Sequence, residues 1–87
     1  MKSESRELYV FTKDHFENNL NLIHPDCVAP LIAVRQVVNK AMDKYIKDYC
    51  GAGTKKEDIF SQEDFQEVSN KIYEEIINEE LNLWQQV

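Results

Sequence analysis

The stretch FSQEDFQEVSNKIYEEIINEELNLW, Phe60 to Trp84, decides the architecture. Ser61 stands where a helix can begin, because its hydroxyl can accept from one of the free N–H groups of a first helical turn. Asp64, three residues on, completes a loose form of the capping box. Phe60 just before the cap and Phe65 at the fourth helical position have the spacing of a hydrophobic staple. Beyond this start, Phe65, Val68, Ile72, Ile76 and Leu83 recur at helical spacing and predict a long helix from Gln62 to about Trp84. A second apolar stripe, Tyr73, Ile77, Leu81 and Trp84, is centred about 100° to 120° around the same axis. Glu63, Glu67, Glu74 and Glu75 occupy much of the remaining surface, with Lys71 among them.

Working back from that helix, Thr54-Lys-Lys-Glu57 matches a capping box and predicts a short helical turn over Lys55 to Phe60. Gly51-Ala-Gly-Thr54 is the main loop, and Gly51 suits the left-handed position that closes a helix. Before it, Leu31, Val34, Val38, Ala41, Met42, Tyr45 and Tyr49 form one stripe, opposite Gln36, Lys40, Asp43, Lys44 and Lys47. They predict a second helix that starts near Asp26 or Pro30 and ends at Cys50, with proline tolerated in its first turn.

Phe11-Thr12-Lys-Asp-His-Phe16 repeats the spacing of Phe60 to Phe65, and two independent helix starts account for the match without an internal repeat. This predicts a first helix from about Lys13 to Ile23, with Phe16, Leu20 and Ile23 on one face and Pro25 ending it. Residues 1–7 are polar and expected to be disordered, and Leu8–Phe11 is expected to be a lead-in that packs on the core. The fold class is therefore all-α: one domain over residues 1–87, a three-helix bundle with a long helix 2–helix 3 hairpin.

Charge separates the two ends of the chain. Glu57 to Val87 holds nine acids and one base, a formal −8; Met1 to Lys56 holds seven acids and nine bases, +2; together they give the net −6. An acidic chain is not built to bind nucleic acid through phosphates, which takes clustered Lys and Arg, nor to dock on anionic membranes. It favours basic partners or simple solubility. No apolar run approaches the ~20 residues of a membrane span, and no signal peptide is legible, so a cytoplasmic protein is expected.

Catalytic chemistry finds little to work with. Cys27 and Cys50 read as two free thiols, about 34 Å apart if one helix carries both. His24, Asp26, Cys27, Cys50 and His15 do not have the paired spacing of a zinc site, so no metal and no cofactor are expected. Neither cysteine is placed beside a histidine as a nucleophile requires. Both glycines lie in one loop, which leaves no glycine-rich phosphate cradle. Arg35, about 40° from the centre of the second helix's stripe, reads as an edge residue that pairs with an acid.

What remains is surface. Tyr73, Ile77, Leu81 and Trp84 have the spacing with which a helix fills a partner's groove, or that of its own copy in a homodimer. Glu67, Glu74 and Glu75 would form the polar rim. The competing reading is that the first helix covers this stripe inside the monomer. The function expected is a non-enzymatic interaction module, binding a larger protein or itself stoichiometrically as regulator or adaptor. The alternative is an acidic inhibitor or immunity-type protein that blocks a basic nucleic-acid-handling protein by charge mimicry.

Overall fold

The computed structural model describes residues 3–23, 29–51 and 53–85, with side chains through Asn78. Helix α1 spans Ser3–Asn21, α2 Pro30–Tyr45 with a π-helical turn Ile46–Cys50 continuing it, α3 Lys56–Ile59, and α4 Gln62–Gln85. No strand occurs among the described residues. The three long helices pack against one another as an all-α bundle, and α3 is a single turn in the connection between α2 and α4.

The start of α4 follows from its sequence. The Ser61 N–H donates to the Asp64 carboxylate at 3.0 Å, and the Asp64 N–H donates to the Ser61 hydroxyl at 3.1 Å. Two otherwise orphaned donors are thereby satisfied, as in a capping box. Phe60 is buried, and Phe65 packs against the same core. Val68 and Ile72 continue the buried face, joined by Val34, Val37, Val38, Ala41 and Met42 of α2 and Leu8, Phe11 and Leu20 of α1.

The first helix is longer than its sequence suggests. Residues 3–7, expected to be disordered, are its first turns, and Ser5 is completely buried. Thr12 does not cap a helix; it lies inside one, buried, with its hydroxyl donating to the Leu8 carbonyl at 2.7 Å. The buried residues of α1 are Ser5, Leu8, Phe11, Thr12 and Leu20, and two of these five, both in its first half, are polar. An apolar pattern cannot reveal a face built partly from hydroxyls that bond back to the helix or across to a neighbour. The helix kinks at Phe16, a position the sequence predicts inside a regular helix, where the backbone leaves the helical region at φ −127°, ψ 21°.

The second helix keeps its stripe until its end. Val34, Val38, Ala41 and Met42 are buried as expected, but Tyr49 is 69% exposed, and Ile46 is buried instead. The helix ends in a π turn over Ile46–Cys50. Gly51 closes the turn with its N–H on the Ile46 carbonyl at 2.9 Å and a φ of +87°. The Thr54 capping box does not form: Thr54 donates its hydroxyl to the Cys50 carbonyl at 3.0 Å, and α3 begins after Lys55 without a side-chain cap. Lys56 instead fastens α3 to α2, reaching Asn39 at 2.7 Å and Asp43 at 3.3 Å.

One buried polar atom has no partner among the described residues: the hydroxyl of Ser69, on α4. A buried hydroxyl without a bond carries a desolvation cost of about 1–3 kcal/mol. Ser69→Ala is therefore expected to leave the protein as stable or more stable, by up to about 1 kcal/mol. Urea unfolding followed by circular dichroism measures this, and a clear loss of stability would show that the hydroxyl is satisfied.

Candidate partner-binding faces

Helix α1 seats itself on one side of α4 by polar contacts. The Ser5 hydroxyl donates to the Asp64 carboxylate at 2.7 Å and lies 3.3 Å from Glu67. One turn on, the Tyr9 hydroxyl donates to Glu75, with the Lys71 ammonium 5.6 Å from the centre of the Tyr9 ring. Lys13 reaches the same Glu75 at 3.5 Å. The order of these contacts makes α1 and α4 run parallel.

This arrangement fixes which faces of α4 are covered. At about 100° per residue, Asp64, Val68, Lys71 and Glu75 fall on one line, and Tyr73 and Ile77 lie roughly half a turn away. Helix α1 therefore sits on the opposite side from the second apolar stripe. Tyr73 is half-buried, with part of its surface against the core, and Ile77 is half-buried. Leu81 and Trp84 continue this line on the helical backbone of α4, but their side chains lie outside the described residues. Of the acids beside the stripe, Glu74 is exposed and lines a shallow surface depression with Glu67, Asn70 and Lys71. Glu75 is a contact between helices, held by Tyr9 and Lys13.

Burial, and secondarily its bond to Glu75 and that carboxylate's charge, pushes the Tyr9 hydroxyl up to about 12 from the ordinary 10. A group whose folded-state value is raised stabilises fully below the unfolded value and loses its contribution as pH rises through the folded one. Between pH 10 and 12 the protein is therefore expected to lose stability more steeply than its Tyr9→Phe variant. Denaturant midpoints across that range test this, and parallel curves for the two proteins would contradict it.

A second surface went unread in the sequence. Between α1 and the end of the second helix lies an open cleft of about 510 Å³, lined by Arg6, Glu7, Val10, Phe11, Asp14 and His15 of α1, with Tyr45 and Tyr49 on its other wall. Phe11 stacks on His15 at 4.1 Å and meets Tyr45 and Tyr49 edge-on at 5.3 and 6.1 Å. The Tyr45 hydroxyl donates to Glu7 at 3.3 Å, and burial followed by the Glu7 charge raises its pKa. Tyr45 packs against the core as its place in the stripe predicts, whereas Tyr49, on the same stripe, is exposed.

Among the described residues no group of three or more His, Cys, Asp or Glu side chains is placed to hold a metal ion. Cys50 is a half-buried free thiol; His24, Asp26 and Cys27 lie outside the described residues. Arg35 is exposed on α2. No described helix is long and apolar enough to cross a membrane. No family model, no curated protein and no solved structure matches the chain.

Proposed function

We propose that this chain is a small acidic protein-interaction module of the cytoplasm, which binds a larger protein stoichiometrically as a regulator or adaptor. The observation that carries this reading is the seating of α1 on the Asp64–Glu75 side of α4. It leaves the line of Tyr73 and Ile77, continued in the sequence by Leu81 and Trp84, without α1 against it. A helix face with two aromatic and two aliphatic residues at i, i+4, i+8 and i+11 has the chemistry of an interface anchor. Glu74 lies at its margin and favours a partner with basic residues around an apolar groove.

The charge-mimicry alternative draws less support from the geometry. Mimicry needs a free acidic array, whereas Asp64 is buried and Glu75 is engaged by Tyr9 and Lys13. Binding of that kind would also weaken steeply with salt.

The test is the double variant Ile77→Ala, Trp84→Ala. Association with the partner protein, reconstituted from purified components at one-to-one stoichiometry, is expected to be lost while helix content by circular dichroism is kept. Unfolding of the variant would assign the stripe to the core and overturn the reading.

A further inference from the structure

We infer that the cleft between α1 and the end of the second helix is a second recognition site, which takes a basic amphipathic peptide segment of a protein partner and holds its arginine or lysine side chain. The inference rests on the interaction-module reading, but it uses none of the α4 residues. Along α1, Ser3, Glu7, Val10 and Asp14 share one line, with Arg6 at its edge, about 60° or more away from either carboxylate. The two carboxylates are separated by two turns, about 10 Å along the axis, and bracket Val10, which is 47% exposed. Apolar surface with a carboxylate at each end forms one wall of the cleft.

The other wall is aromatic. Tyr49 turns most of its ring to solvent, and Tyr45 and Tyr49 lie 5.0 Å apart, tilted by 47°. A large aromatic ring left open on the surface of a small domain is more costly than a buried one. Open tyrosine faces attract a cation through the ring quadrupole. Asp14 and Glu7 add direct charge at the cleft itself. An apolar neighbour of the cation would lie on Val10 and the edge of Phe11. An acidic or purely apolar segment would bring the carboxylates no counter-charge.

The probe is a short amphipathic peptide with one arginine flanked by leucines, beside its twin with glutamate in place of arginine. Titration into isotopically labelled protein is expected to shift the resonances of Val10, Asp14, Tyr45 and Tyr49 with the arginine peptide and not with its twin. At exposed positions, Tyr49→Ala should weaken binding about two- to fivefold, and the charge reversal Asp14→Lys should weaken it by more. Asp58→Lys, the same charge change on α3, should leave it unaltered, as should Ile77→Ala with Trp84→Ala. Equal binding of the glutamate twin, equal weakening by Asp58→Lys, shifts confined to α4, or no shifts at all would each overturn the proposal. Shifts of the same residues that grow with protein concentration alone would assign the cleft to a second copy of the chain and also overturn it.

Discussion

Replacing Asp64 by alanine is expected to lower stability by about 3 kcal/mol, one of the two strongest effects anticipated for single substitutions. Asp64 is only 5% exposed, and its two carboxylate oxygens do different work. One accepts the Ser61 N–H and caps α4; the other accepts the Ser5 hydroxyl and ties the first turn of α1 to the first turn of α4. Loss of a cap costs about 0.5–2 kcal/mol, and a hydrogen bond to a charged group about 1.5–3 kcal/mol. Removal also leaves the buried Ser5 hydroxyl with only the longer contact to Glu67. For a domain of this size such a loss lowers Tm by roughly 12–24 °C. Ser5→Ala should cost less, because it removes the link between helices but leaves the cap. Thermal unfolding of the two variants separates the contributions, and a change under about 0.5 kcal/mol for Asp64→Ala would remove this residue from the account.

Leu8→Ala is the second large expectation, at about 2–5 kcal/mol. Leu8 is 0% exposed and belongs to the core formed with α2 and α4. Truncation to alanine removes buried methyl groups and leaves a cavity that two flanking helices can close only in part. A cost near zero would mean that the first turns of α1 are not packed in solution, and the parallel seating of α1 on α4 would fall with them. Urea denaturation with matched m-values is the appropriate measurement, since a changed slope would report a change in compactness rather than in stability.

These two residues also mark the limit of what the sequence discloses. The start of α4 is legible, because Ser61, Asp64, Phe60 and Phe65 signal through local hydrogen bonds and spacing that need no knowledge of the rest of the fold. The end of Asp64 that binds Ser5 is not legible, since it depends on a contact between residues 59 apart in the chain. The same holds for α1 as a whole. Ser5 and Thr12 occupy its buried face, and polar residues at core positions break the apolar period that reveals a helix. The match between Phe11–Phe16 and Phe60–Phe65 misleads for the converse reason: similar spacing, but Thr12 finds the carbonyl of Leu8 before it can serve as a cap.

The candidate surfaces divide along the same line. The stripe of Tyr73, Ile77, Leu81 and Trp84 is a property of one helix and can be read from its period. Which helix covers which side of α4 depends on Tyr9, Lys13 and Lys71 meeting Glu75 or one another, and that is tertiary. The cleft of Tyr45 and Tyr49 depends on Phe11 of α1 meeting the end of the second helix, a contact between residues distant in the chain.

The outer face of α4 as an interface is tested most directly by a photo-crosslinking residue at position 77 in the protein expressed in its native cells, with position 40, exposed on α2, as the control. The account predicts one discrete adduct from position 77, absent from position 40 and abolished by Trp84→Ala. No adduct from position 77, or the same adduct from both positions, would contradict it.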